Sequence, residues 1–251
     1  MSTSPASPRR KIDRSGISYV NRIVGTTIAP VFCFFIAAGR LDILAGWIYF
    51  GVFLLFGISN VVLLAVVDAD LLNARGRTEA DVVGSDRIVV GLYLLFTHVF
   101  APIVAGLEHR LRPTGGGADS GPGSMAPLSG AIVFLAVGVG LLALGAILEN
   151  RATRANHHYE RNIRLQTDRD HAVVTTGPYA IVRHPGYLAY ILKFAALPVA
   201  LSSVWAVGPV VAGIIALVVR TVIEDRVLLD GLPGYREYAA RVRFRLVPGV
   251  W

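Results

Sequence analysis

The chain has 251 residues, of which 54% are apolar or aromatic and only 16% are charged. A soluble domain carries about 25% charged residues, so this chain has too few charges to cover a soluble globule of its size. A composition this apolar also excludes disorder over most of the chain. The single cysteine, Cys33, excludes a disulfide framework and a four-cysteine zinc site. The net charge of +7 suggests nucleic-acid binding in a soluble protein, but in an apolar chain it is typical of cytoplasmic loops, so we expect no nucleic-acid partner.

Six apolar runs follow one another along the chain. A helix needs about 20 apolar residues to cross the hydrocarbon core of a bilayer. The runs cover residues 23–39, 43–67, 88–107, 128–148, 187–201 and 204–219. The first run is long enough if residues 19–22 lie in the interface. The last two are separated only by Ser202 and Ser203, which predicts a helical hairpin, and a re-entrant pair that does not fully cross is the alternative.

The basic residues predict the orientation of the segments. With six crossings and the N-terminus inside, 20 of the 24 lysine and arginine residues fall on the cytoplasmic side. The opposite side keeps Arg40, Arg110 and Arg112, and Lys193 lies within a run. This bias favours both termini in the cytoplasm. We therefore expect an all-α, polytopic membrane helix bundle of about six transmembrane segments.

The two ends of the N-terminal half have a different composition from the runs. Residues 1–15 are rich in serine, proline and basic residues and are expected to be a disordered tail. Residues 113–127 contain three consecutive glycines and predict a flexible external loop. The N-terminus resembles a signal peptide, but its long apolar stretch is followed at once by another, which favours a retained anchor.

The polar chemistry is concentrated in the last hundred residues. Residues 176–187 read TGPYAIVRHPGY, with Arg183 and His184 before Pro185, a residue that fits the first turn of a helix. A cation and an imidazole at a helix N-terminus suit a carboxylate or phosphate ligand. The alternative is an interfacial arginine and histidine that reach for lipid headgroups.

A second charged cluster begins where the last apolar run ends. Arg220 and Glu224 are four residues apart and share a helical face, so they either form an ordinary ion pair or, with Asp225, hold a cationic ligand. The chain then reads LPGYREYAARVRFRLVPGVW, in which Tyr235 and Tyr238 share a helical face. An arginine-rich amphipathic tail lying in the membrane interface also accounts for the last residues.

Several isolated motifs carry less weight. Gly138, Gly140 and Ala143 imitate a nucleotide-binding motif within an uncharged run, which indicates helix packing. His98 is expected to be packed and hydrogen-bonded, and Lys193 must pair or face a cavity. His157 and His158 are adjacent and point to different faces, so we expect no metal site.

These C-terminal elements resemble the integral-membrane methyltransferases of the isoprenylcysteine carboxyl methyltransferase and phospholipid methyltransferase superfamily. The resemblance rests on GPYAIVRHPGY, the downstream Arg-x-x-x-Glu-Asp and the LPGY tail, and it covers residues 150–251. It implies a pocket for S-adenosylmethionine, with residues 128–251 as a catalytic part whose cofactor site faces the cytoplasm. Residues 16–127 then form the N-terminal transmembrane helices, for which the sequence shows no such resemblance.

The resemblance also implies roles for individual residues. The family's motifs place Tyr179, His184, Pro185, Tyr187, Glu224 and Asp225 at the cofactor; Arg183 and Glu224 in catalysis; and Arg183, Tyr235, Tyr238 and Arg241 at the substrate. The family usually has Glu where this chain has Asp225, which is one methylene shorter. Asn156 and Gln166 lie where relatives carry polar residues.

The chemistry of the two clusters agrees with that expectation. S-adenosylmethionine carries a sulfonium cation, an ammonium group and a carboxylate, and the clusters supply both signs of charge. The acceptor is expected to be a lipophilic small molecule or a lipidated substrate that arrives through membrane lipid, with an isoprenylcysteine-like carboxylate, a phospholipid amine and a thiol all open. An NADPH-dependent sterol-reductase-like oxidoreductase and a non-enzymatic membrane scaffold are the alternatives.

The predicted topology has a direct test. Pro5→Cys and Asp119→Cys, each made in a Cys33→Ala background, place a thiol in the tail and in the predicted external loop. Because an odd number of crossings separates the two positions, a membrane-impermeant maleimide is expected to label Asp119→Cys from outside intact cells and Pro5→Cys only after permeabilisation. Labelling of both from the same side rules the topology out.

Overall fold

A computed structural model describes residues 11–77, 84–112, 128–160, 162–166 and 170–251. Within these ranges the regular structure is helical, and no strand is present. The helices are α1 (Arg14–Ala38), α2 (Leu44–Val67), α3 (Ala69–Gly76), α4 (Gly84–Leu94), α5 (Ala101–Leu111), α6 (Leu128–Ala155), α7 (Pro185–Ala200), α8 (Val207–Gly231) and α9 (Tyr235–Arg241). A π-helical turn, Leu95–Phe100, joins α4 to α5, and a 3₁₀ turn, Gly177–Ala180, precedes α7.

Five helical segments of the described chain are long and apolar enough to cross a membrane, namely α1, α2, the continuous segment Gly84–Leu111, α6 and α8. The sixth apolar helix, α7, has 16 residues. At about 1.5 Å per residue it is roughly 24 Å long, somewhat less than the ~30 Å hydrocarbon core. The protein is thus an integral membrane protein, and the predicted all-α polytopic bundle is confirmed.

The helices extend past the apolar runs at their charged ends. Helix α8 continues from the end of its run to Gly231 and carries both carboxylates of the second cluster within it. Helix α1 begins at Arg14 because the Asp13 side chain accepts hydrogen bonds from the amides of Ser15 and Gly16. Arg14 and Ser15, which the sequence placed in the tail 1–15, therefore belong to α1; residues 1–10 and the predicted loop 113–127 lie outside the described residues.

The apolar helices alternate in direction along the chain. The charged terminus of each helix therefore lies at the same end of the bundle, which is here called the charged end. There Arg75 of α3 donates hydrogen bonds to Tyr19 of α1 and Thr153 of α6. Asp86 at the start of α4 pairs with Arg220 of α8. At the opposite end, Glu108 of α5 accepts hydrogen bonds from the segment that joins α7 to α8.

Small residues let α6 and α7 pack closely. A Cβ atom added to Gly138 would lie 2.5 Å from the backbone nitrogen of Ala200, and one added to Gly145 would lie 2.7 Å from the carbonyl oxygen of Ala189. A Cβ on Gly140 would meet nothing within 4 Å. The glycine motif in this run therefore serves helix packing through Gly138, which is typical of membrane helices.

This contrast between two nearby glycines generates a matched prediction. Gly138→Ala is expected to force α6 away from α7 and to cost about 1–3 kcal/mol of stability, the usual range for overpacking. Gly140→Ala is the control, because its new methyl group meets open space. Thermal unfolding of both variants in the same detergent measures the difference. Equal melting temperatures for the two variants would show that the close approach of α6 and α7 does not limit stability.

Candidate active site

The carboxylate of Asp225 lies at the centre of the charged end, with 1% of its surface exposed. Its Oδ2 accepts hydrogen bonds from Arg183 Nη2 at 3.1 Å and Arg245 Nε at 2.8 Å. Its Oδ1 accepts one from Tyr235 Oη at 3.0 Å and lies 3.2 Å from His184 Nε2. A buried carboxylate is tolerated only with partners of this kind. Asp225 thereby ties the segment before α7, helix α9 and the C-terminal segment to α8.

The backbone around Arg183 and His184 is fixed independently of these side chains. The amide of Arg183 donates to the carbonyl of Phe244 at 3.0 Å, and the amide of His184 donates to the carbonyl of Arg245 at 2.9 Å. Pro185 is the first residue of α7, as expected from its fixed φ. The residues after α9 thus pair with the Arg-His segment and are not a helical amphipathic tail.

Glu224 faces away from Asp225 and accepts a hydrogen bond from the Tyr187 hydroxyl. The Arg220 guanidinium forms a two-point contact with Asp86, at 2.7 and 3.1 Å, a geometry that suits a guanidinium and a carboxylate. Glu224 faces the cavity beside Tyr187.

A cavity at the charged end, here called the end cavity, is lined by most of the predicted site residues. They are Tyr179, Arg183, His184, Tyr187, Glu224, Tyr235 and Tyr238. Pro185 and Asp225 lie behind this wall and position it. Arg241 is exposed at the end of α9, and the structure does not bring it to the cavity.

The loop after α6 supplies a second, polar wall of the end cavity. Asn156 Nδ2 donates to Tyr179 Oη at 3.2 Å, and Gln166 Nε2 donates to the carbonyl of His158 at 2.7 Å. His158 and His171 also line this wall, with ring centroids 4.8 Å apart. Burial raises the pKa of the Tyr179 phenol above its usual range, so it stays neutral. Sequence reasoning included Asn156 and Gln166 but missed the two histidines, whose spacing carries no motif.

The adjacent histidines turn apart, as expected. His157 contacts Asp68, whereas His158 contacts Gln166. Among the described residues no group of three or more potential metal ligands is present.

A larger cavity, here called the membrane cavity, lies within the apolar helices. Its volume is about 170 Å³, against about 70 Å³ for the end cavity. Its apolar wall consists mainly of aromatic side chains: Tyr49, Phe50, Phe53, Phe56, Tyr93, Tyr190 and Phe194. Lys193 lies in this wall and pairs with Glu149 at 2.7 Å, which confirms that it pairs and faces a cavity. His98 is also there, 2.8 Å from the Thr97 hydroxyl, and is packed as expected.

The two cavities share part of their walls. Tyr159, Glu160 and Tyr187 line both of them. A polar, charged compartment at the end of the bundle therefore adjoins an aromatic compartment inside it. Tyr159 and Tyr187 lie between the two compartments.

The spans and the cavities together define a polytopic integral-membrane protein with a charged cavity at one end of its bundle. Residues 138–230 match the isoprenylcysteine carboxyl methyltransferase (ICMT) family. This match supports the ICMT-like superfamily of membrane methyltransferases and confirms the resemblance seen in the sequence. The match extends from α6 to the end of α8 and includes the Arg-His segment and both carboxylates.

A curated protein is also similar over a short stretch. The cobalt-zinc-cadmium resistance protein CzcN of Cupriavidus metallidurans is 39% identical over 75 residues. The aligned stretch covers 29% of this chain and 34% of that protein, so the chain spans about a third of the length of this relative.

Asp225 and a nearby exposed acid provide a matched stability test. Asp225→Asn leaves the buried Arg183 guanidinium without its carboxylate, which is expected to cost about 3–5 kcal/mol. Asp230→Asn, on the same helix, removes a side chain that is 68% exposed and pairs only with exposed Arg236, so little change is expected. Thermal unfolding in detergent compares them. A similar small shift for both variants would contradict the role of Asp225 as the centre of the site.

Proposed function

We propose that this protein is an integral-membrane methyltransferase that transfers the methyl group of S-adenosylmethionine to a lipophilic or membrane-associated acceptor. The observation that carries the proposal is the junction of two unlike cavities beside Tyr159 and Tyr187. One compartment suits a charged, water-soluble cofactor and the other suits an apolar substrate. ICMT-family methyltransferases generally use S-adenosylmethionine.

The side chains of the end cavity fit this cofactor. Glu224 provides a carboxylate for a sulfonium or ammonium group. Arg183 provides a guanidinium whose buried Nε has no hydrogen-bond partner among the described residues, and which suits a carboxylate. Tyr179 and the paired rings of His158 and His171 provide flat surfaces for an aromatic base. S-adenosylmethionine, when bound there, supplies a methyl group activated by the positive charge on its sulfur.

The membrane cavity fits an apolar acceptor that carries a small polar group. Its aromatic side chains offer a large apolar surface. The Lys193–Glu149 pair and the hydroxyl groups of Tyr190 and Thr97 offer polar contacts within it. An isoprenylcysteine-like carboxylate, a phospholipid amine and a lipophilic thiol are the acceptor classes we propose.

The contribution of the protein to the reaction is positioning. A methyl group moves in line between two atoms, and holding both in register supplies much of the rate enhancement. Tyr187 lies in both cavity walls and is fixed by its hydrogen bond to Glu224 and by Arg220, whose Cζ lies 5.2 Å from its ring centroid. A carboxylate or thiolate acceptor needs no base, whereas an amine acceptor needs one, and Glu224, which lines the end cavity beside Tyr187, is the residue we propose to take that proton.

We further propose that the charged end faces the cytoplasm. The basic bias of the sequence supports this orientation. It gives the end cavity access to a water-soluble cofactor and leaves the membrane cavity at the level of the lipid tails.

The cofactor site is tested by a charge-removing variant. Glu224→Gln keeps the shape of the side chain, and loss of a charge-assisted contact is worth about 1.5–3 kcal/mol. S-adenosylhomocysteine and S-adenosylmethionine are titrated separately by calorimetry into purified protein. Only S-adenosylmethionine carries the sulfonium charge. We therefore expect the affinity of Glu224→Gln for S-adenosylmethionine to be about 10- to 150-fold lower than that of the wild type.

Glu237→Gln on the exposed face of α9 is the matched control for the same loss of charge and is expected to bind as the wild type does. Unaltered S-adenosylmethionine affinity in Glu224→Gln would remove Glu224 from the cofactor site. Wild-type protein that binds NADPH in preference to S-adenosylmethionine would move the protein to the reductase class.

A further inference from the structure

Tyr159 has a buried hydroxyl group without a function in the packing. The residue follows α6 in the loop that lines the end cavity. Its Oη is shielded from solvent and has no hydrogen-bond partner within the part of the chain that the structure describes. Buried polar groups nearly always have a partner, and leaving one unpaired is costly. A hydroxyl group of this kind requires an explanation.

The Tyr159 ring is held in place, so the hydroxyl cannot easily turn toward another partner. Arg75 stacks over the ring, with its Cζ 4.8 Å from the ring centroid, and its Nε donates to the Tyr159 carbonyl at 2.9 Å. Arg75 is itself buried and is fixed by Tyr19 and Thr153. Three segments of the chain therefore determine where this ring lies.

The hydroxyl occupies space that a glycine leaves open. A Cβ atom on Gly186, in the first turn of α7, would lie 2.1 Å from Tyr159 Oη. Any other residue at position 186 would displace the phenol. The Tyr159 hydroxyl is thus accommodated next to the Arg-His segment that opens α7.

The residue that carries this hydroxyl lines both cavities, whereas its partner Arg75 lines only the membrane cavity. Burial raises the pKa of the Tyr159 phenol well above its usual range, with the nearby Glu149 carboxylate acting in the same direction. The phenol therefore remains protonated and keeps a hydrogen to donate.

We propose that the Tyr159 hydroxyl donates a hydrogen bond to the polar group of the methyl acceptor where the two cavities meet. This inference rests on the proposed function. A carboxylate oxygen or a thiol sulfur has a lone pair for this donor besides the one that attacks the methyl carbon. An amine nitrogen has one lone pair, which the attack itself uses, so the donor suits a carboxylate or thiol acceptor. The hydroxyl then makes in the complex the hydrogen bond that it lacks in the protein. Tyr159 is accordingly a substrate-binding residue that fixes the reacting end of an otherwise apolar molecule.

Tyr159→Phe tests the inference because it removes only the hydroxyl. Transfer from methyl-labelled S-adenosylmethionine is measured at saturating cofactor against three probes: S-farnesylcysteine, phosphatidylethanolamine in mixed micelles and a long-chain alkyl thiol. For the alkyl thiol, kcat/KM for the acceptor is expected to fall about 3- to 10-fold, the effect of one neutral hydrogen bond, and for the carboxylate of S-farnesylcysteine about 10- to 150-fold, the effect of a charge-assisted one. Methylation of phosphatidylethanolamine alone would overturn the inference. The affinity for S-adenosylhomocysteine and the melting temperature are expected to stay at wild-type values.

Tyr19→Phe calibrates the thermal measurement. It removes a hydroxyl that does have a partner, Arg75 Nη1 at 3.2 Å, so its melting temperature is expected to fall. A comparable fall in Tyr159→Phe would show that the Tyr159 hydroxyl is structural and would overturn the inference.

The other outcomes separate this inference from the proposed function. Wild-type kcat/KM in Tyr159→Phe, or a matching loss of S-adenosylhomocysteine affinity, overturns the inference and leaves the proposed function standing. Wild-type protein that binds no S-adenosylhomocysteine and methylates none of the probes overturns both.

Discussion

The buried carboxylate of Asp225 organises the charged end of this protein. Four side chains from three separate segments converge on its two oxygens, and none of those segments is held there by a long helix of its own. Removing a charge from water is costly, so the carboxylate and its partners stabilise one another only as a set. The wall of the end cavity is a consequence of this arrangement. Arg183, His184 and Tyr235 present their remaining surfaces to the cavity because Asp225 fixes their positions from behind.

The adjacent carboxylates Glu224 and Asp225 have different surroundings because they point in different directions from the helix. Consecutive residues on a helix point in directions about 100° apart, so Glu224 and Asp225 cannot face the same group. Asp225 points into the protein and is fully occupied, whereas Glu224 points to the cavity and to Tyr187. The shorter of the two side chains, Asp225, is the one that serves structure.

Hydropathy predicted the membrane-spanning helices well. It could not predict the contacts between residues that are distant in sequence. The run at residues 43–67 matches α2 almost residue for residue, because twenty apolar residues in a row have few alternatives to a buried or membrane helix. The contact between Arg220 and Asp86 could not be predicted, because the two residues lie 134 residues apart in sequence and local spacing points to the nearer acid. Arg245 and Tyr159 were missed for the same reason. Each acquires its importance only when the loop after α6 and the C-terminal segment come together.

The N-terminal helices show no resemblance in sequence to the superfamily, yet their described residues form much of the membrane cavity. Of the seven aromatic side chains in its wall, four come from α2, one from α4 and two from α7, and Arg75 of α3 fixes Tyr159 at the junction. The C-terminal part therefore supplies the proposed cofactor site, and the N-terminal part together with α7 shapes the space for the acceptor. Differences in acceptor among related proteins are expected to depend on these N-terminal residues.

The central claim is that the two cavities bring a methyl donor and a lipophilic acceptor together. In the most direct measurement, purified protein is incubated with a total lipid extract and with S-adenosylmethionine whose methyl group is trideuterated. The lipid fraction is then examined by mass spectrometry. We expect one lipid class to gain a trideuterated methyl group, and no gain when Glu224 is replaced by Gln. A lipid fraction without the label, from protein shown by calorimetry to be folded and to bind the cofactor, would contradict the account.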